Sequence, residues 1–62
     1  MDRKEAEKMA DKYIPGVFGI MRTAWINGYI GYPQKGVARY QRSSAAAIYR
    51  QKGINDKKGE VK

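Results

Sequence analysis

Apolar positions fall into three stretches along the chain, each with helical spacing. Ala6, Met9, Ala10 and Tyr13 recur at the three- and four-residue intervals of one helix face. Ahead of them, Asp2-Arg3-Lys4-Glu5 has the form of a capping box, and its acids suit the positive end of a helix dipole. A first helix is expected over residues 3–13. Ile14-Pro15-Gly16 should end it, because the residue before proline is pushed out of the α region.

Val17, Phe18, Ile20, Met21, Ala24 and Trp25 then cover a broad arc, which predicts a second, most buried helix over 16–27. Pro15 suits its first turn, and Asn27-Gly28 its stop. Tyr29 to Pro33 reads as a short connection rich in aromatics and turn formers. A third helix is expected over 36–52, with Gly36 an unfavourable interior residue at its start. Residues 54–62 read as a flexible polar tail. The fold class is therefore all-α: one three-helix domain over 1–53 and a tail.

On a wheel of ~100° per residue, Lys35, Arg39, Arg42 and Arg50 of the third helix fall within an arc of ~80°, with Ala46 at its centre. Val37, Ala38, Tyr40, Ser44, Ala45 and Ile48 fall on the other side as its packing face. Tyr40 and Tyr49 lie on opposite faces, so only one of them can share a partner with the stripe. Little bulk anchors this helix, so its position should depend on Phe18, Met21 and Trp25.

Charge sharpens that picture. The 62 residues carry a net charge of +7. Residues 1–14 hold four acids and four bases, and after Asp11 no acid appears until Asp56. Between those two acids lie Lys12, Arg22, Lys35, Arg39, Arg42, Arg50 and Lys52. A field of one sign attracts polyanions. The expected partner is therefore nucleic acid, DNA first, bound by Lys35, Arg39, Arg42, Ser43, Ala46 and Arg50, with Arg22, Tyr32 and Lys52 as auxiliaries. Arginine suits bidentate phosphate or guanine contact, Ser43 can donate to a phosphate, and Tyr29 or Tyr32 can stack on bases or simply cover a small core. A solvated basic face explains the stripe as economically.

Catalysis has no foothold in the composition. The chain has no Cys and no His, so nucleophile–imidazole pairs, thiolate or imidazole metal sites and disulfides are all excluded. Glu7 and Asp11 form an i,i+4 carboxylate pair that no third ligand joins, and no glycine-rich phosphate loop is present. No enzyme, no cofactor and no metal are expected.

Ile14 to Tyr32 is long enough to weigh as a membrane span, but a central Arg22 costs ~2.5–3.5 kcal/mol there, and Pro15, Asn27 and four glycines add to the case against it. A charged N-terminal stretch without an apolar run, and the missing cysteines, suggest a cytoplasmic protein.

A helix-turn-helix within Val37 to Gly53 is the other way to divide this region. Ala38 and Ile48 match the spacing of repressor families, but Arg42 stands where the turn glycine belongs, and Gln41, Ser43 and Gln51 occupy positions that are usually apolar. No family is recognised on these residues. Ser43-Ser44 can still cap a shorter helix over Ala45–Gln51. Two other partners fit the composition: an acidic protein surface, for a small inhibitor or adaptor of viral or mobile-element type, and an anionic membrane surface met by Phe18, Trp25 and the tyrosines. A core this small, which buries only ~60% of its unfolded surface, also leaves room for homodimerisation.

Overall fold

A computed structural model describes residues 2–60, the side chains of Gln34 and Tyr40 excepted. Three α-helices make up the fold: α1 (Arg3–Tyr13), α2 (Ile20–Ile30) and α3 (Ser44–Glu60). Two 3-10 turns, Gln34–Gly36 and Arg39–Arg42, lie in the connection between α2 and α3. No strand occurs among the described residues, and no described helix is long and apolar enough to cross a membrane.

Helix α1 forms where its pattern predicts. The Asp2 carboxylate accepts from the Lys4 amide at 3.2 Å, and Ala6 and Ala10 are fully buried with Met9 and Tyr13 packed beside them. Arg22 of α2 ties it down by donating to Asp11 at 2.7 Å and to the Glu7 carbonyl at 3.0 Å. Arg3 donates to the Asn27 side chain at 3.1 Å. Those pairings run α1 antiparallel to α2.

The second helix is displaced from its expected span of 16–27. It begins only at Ile20, because Gly16 and Gly19 both take positive φ, +83° and +74°, which a right-handed helix cannot use. Phe18 is stranded in the resulting loop and is 81% exposed, with Ile20 and Met21 also exposed. Gly28 does not stop the helix either. The helix runs on to Ile30, and Gly31 at φ +77° closes it in a Schellman motif, with Gly31 donating to the Gly28 carbonyl and Tyr32 to the Asn27 carbonyl. Ala24 to Tyr29 are buried without a break, so α2 is the central element, as its apolar pattern predicts.

The third helix departs furthest. It begins at Ser44, not Gly36, with the Ser43 hydroxyl accepting from the Ala46 amide at 3.3 Å. It passes straight through Gly53 to Glu60, so residues 54–60 are its last two turns and not a flexible tail. Two glycines explain this. Where α2 and α3 cross, a Cβ on Gly53 would overlap the Trp25 carbonyl, and one on Gly28 would overlap the Arg50 carbonyl. The two backbones touch at these points, so neither glycine is available as a helix end. Trp25 opposite Gly53 and Gly28 opposite Arg50 make the two helices antiparallel. Side chains of α2 then secure the far end of α3. The Trp25 indole donates to Asp56 at 2.8 Å, the Tyr29 hydroxyl lies 2.6 Å from both oxygens of Glu60, and Lys57 stands 5.0 Å over the Tyr29 ring.

This crossing sets which face of α3 is buried. Ala46 and Gly53 point at α2, with Tyr49 packed on the core, whereas Ile48 is 68% exposed and Ser44 and Ala45 face solvent. The expected packing face is therefore inverted. Residues 37–42 do not share the phase of α3, so a wheel drawn through both mixes two orientations. Trp25, Gly28 and Tyr29 hold α3 in place, and Phe18 and Met21 do not. The expected packing role of Tyr40 lies outside the described residues.

Gly53→Ala should lose about 1–3 kcal/mol of unfolding free energy despite its better helix propensity, because backbone cannot move aside for a methyl group. Gly59→Ala, with nothing near its Cβ, should be neutral or stabilising by up to about 1 kcal/mol. Urea denaturation distinguishes the two signs.

The Tyr29 hydroxyl holds the Glu60 carboxyl below its ordinary value of 4.5, against an opposing effect of desolvation. A depressed folded value stabilises the protein above pH 4.5 and is lost as pH falls through the folded value. Burial, and then Glu60, push Tyr29 above its ordinary 10.0, so its contribution is present below that pH and lost above it. Stability should fall at both extremes, and Glu60→Gln should flatten the acid side in thermal melts taken across pH.

Candidate nucleic-acid interface

The connection between α2 and α3 is built around Tyr32. Its N–H donates to the Asn27 carbonyl at 2.9 Å as part of the Schellman motif. Its own carbonyl accepts from Arg50 Nη2 at 2.6 Å, a charge-assisted bond that reaches across from the second turn of α3. Pro33 turns the chain into the first 3-10 turn, closed by Gly36 N–H on the Pro33 carbonyl at 3.0 Å. This folds Gly36 against the Tyr32 ring: a Cβ there would lie 3.0 Å from Cε1 and 3.1 Å from the hydroxyl oxygen. Only glycine fits that approach without moving the ring.

The second 3-10 turn returns to the same place. Arg42 Nη2 donates to the Lys35 carbonyl at 3.2 Å, drawing the two turns together. Val37 and Gln41, both buried, hold the segment to the helices. Lys35, Arg39 and Arg42 remain exposed, and Arg50 is half-buried beneath them. Two buried polar atoms in this region, Gln41 Oε1 and Arg50 Nη1, have no hydrogen-bond partner among the described residues.

The four expected cations therefore belong to one connection and the helix beneath it, but not as a stripe on one helix. Lys35, Arg39 and Arg42 sit on short turns, and only Arg50 lies on α3. Ala46, expected at the centre of the exposed face, is 0% exposed, because the crossing with α2 needs a small residue there. No partner can reach it. The Ser43 oxygen accepts from the Ala46 amide at the start of α3, and its exposed O–H can still donate. Of the auxiliaries, Tyr32 joins the cluster and is 41% exposed. Arg22 instead bonds Asp11 and the Glu7 carbonyl, and Lys52 lies 3.8 Å from Asp56. The sequence places no acid between Asp11 and Asp56, and each of those two faces a base.

Gly36 was legible only as a poor helix residue. Its part as the seat of an aromatic ring is signalled by Tyr32-Pro33, four and three residues before it, a turn pattern that closes on itself.

Elsewhere, Glu5, Lys8, Met9, Tyr29 and Glu60 line a shallow groove of about 370 Å³. No three acid, His or Cys side chains come together to hold a metal among the described residues. Compared with known protein families, curated proteins and solved structures, the chain matches none of them.

Arg50→Gln should release the Tyr32 carbonyl and loosen the connection. Hydrogen exchange at the Gly36 and Gln41 amides should quicken by about tenfold or more, in line with the ~1.5–3 kcal/mol of a hydrogen bond to a charged group. Amides inside α1 should keep their protection.

Proposed function

We propose that the protein binds nucleic acid, DNA first, as a non-enzymatic regulatory or accessory protein of a reducing, intracellular compartment. The observation that carries this reading is that Lys35, Arg39, Arg42 and Arg50 belong to one connection and the helix beneath it, together with an exposed tyrosine, in a part of the chain without acids. Cations on short exposed turns can follow a phosphate backbone, and arginine adds bidentate geometry to charge. Arg42 and Arg50 also bond backbone carbonyls, which fixes their positions before a ligand arrives and lowers the entropy lost on binding.

Salt dependence tests the reading. With Lys35, Arg39 and Arg42 each meeting one phosphate at ~0.9 per contact, log K against log salt should fall with a slope of about 2.7, measured by fluorescence anisotropy on labelled DNA. Replacing Lys35 and Arg39 with Glu, the two whose side chains hold no part of the fold together in the contacts described above, should abolish binding and leave the melting temperature nearly unchanged. Absence of binding at low salt would overturn the proposal.

A second reading has its own observation. Phe18 is 81% exposed beside exposed Ile20 and Met21, at the end of α2 remote from the basic connection. An acidic protein surface with an apolar pocket would engage both regions. Its mark is a salt-sensitive complex with a protein and none with DNA.

A further inference from the structure

We infer that the basic connection takes unpaired nucleotides in preference to duplex, an inference that rests on the nucleic-acid reading above. Two features of the connection carry it. The first is what the fold withholds from a duplex. Reading a major groove takes a helix or a ribbon whose exposed side chains reach base edges. Here Lys35, Arg39 and Arg42 stand on single 3-10 turns, and the stretch of α3 that follows them turns Ala46 inward onto α2. Arg50 is the one member of the set on α3, and it points back to the Tyr32 carbonyl. None of these four cations stands on an exposed helix face that could enter a groove.

The second feature is Tyr32. Its N–H and its carbonyl are both hydrogen-bonded, to Asn27 and Arg50, and its ring is seated against Gly36. The backbone of Tyr32 is thus held at both of its polar groups, while its side chain stays open and the residue is 41% exposed. Trp25 and Tyr29, which are core residues, stack on each other at 4.8 Å and give their polar atoms to Asp56 and Glu60. Among the described residues Tyr32 has no such ring partner. An open ring on the connection that also carries Lys35 and Arg42, with Arg50 bonded to the carbonyl of the same tyrosine, combines a stacking platform with phosphate-binding cations, the arrangement that single strands require. A single strand can splay a base onto the ring and bend its backbone around a compact turn, whereas duplex bases are already stacked on each other. Gln41 Oε1 and Arg50 Nη1, both buried and without a hydrogen-bond partner among the described residues, lie on the second 3-10 turn and on α3.

The test uses the full chain, labelled oligothymidylate and a mixed-sequence duplex of equal length, compared by anisotropy at the same low salt. The single strand should bind about tenfold more tightly than the duplex, the order expected for one stacked base. Tyr32→Ala should lose that tenfold on the single strand and leave duplex binding unchanged, and Tyr32→Phe should retain it. Circular dichroism and Trp25 emission check that both variants fold. Equal or tighter duplex binding overturns the inference, as does a Tyr32→Ala variant that weakens both ligands alike, and both results leave the nucleic-acid reading standing. No binding to either ligand overturns the two together.

Discussion

At Gly28 and Gly53 the backbones of α2 and α3 meet with no side chain between them, and the rest of the fold follows from that contact. It brings the axes close enough for Trp25 and Tyr29 to reach past the crossing and bond Asp56 and Glu60. Those bonds keep α3 helical to Glu60. The same approach selects small residues along the buried face of α3, which is why Ala46 is inside while the larger Ile48 is outside. Dispersion falls steeply with distance, so two backbones in contact gain packing that two leucine-lined helices reach only through interdigitated side chains.

The crossing also sets the geometry of the basic connection. With Gly28 beside Arg50, the guanidinium emerges near the C-terminal end of α2 and meets the Tyr32 carbonyl. The Schellman turn at Gly31 presents that carbonyl, and Gly36 seats the ring behind it. A structural contact between helices and a candidate binding surface thus share one residue. Arg50 is at once a clamp on the connection and part of its positive field. Arg22 shows the opposite outcome: the same residue type, two turns below Tyr29 on α2, is spent on holding α1.

Charge separation along the chain has a physical counterpart in the fold. The acids of α1 and of the last turns of α3 serve as internal acceptors, for the Lys4 amide, Arg22, the Trp25 indole and the Tyr29 hydroxyl. The bases between them are left with fewer acidic neighbours than a surface of mixed sign would supply. A chain without cysteine, histidine or a large core thereby stays folded on buried aromatics and acid-to-aromatic hydrogen bonds.

Local sequence determined what depends on near neighbours. The first helix, its Asp2 cap, the centrality of the Ala24–Trp25 segment, the all-α class and the membership of Lys35, Arg39, Arg42 and Arg50 in one basic region are all set by spacing and composition. Tertiary contact decided what glycine does. Gly16 and Gly19 break the start of α2, Gly31 ends it, and Gly28 and Gly53, each a reasonable stop by itself, sit inside helices. A residue without a side chain carries the same local signal whether it turns the chain or admits a neighbouring backbone. The choice between the two is made by the helix that arrives, and that choice set the true start of α3, buried Ala46 and turned a supposed helical stripe into a basic, tyrosine-centred turn.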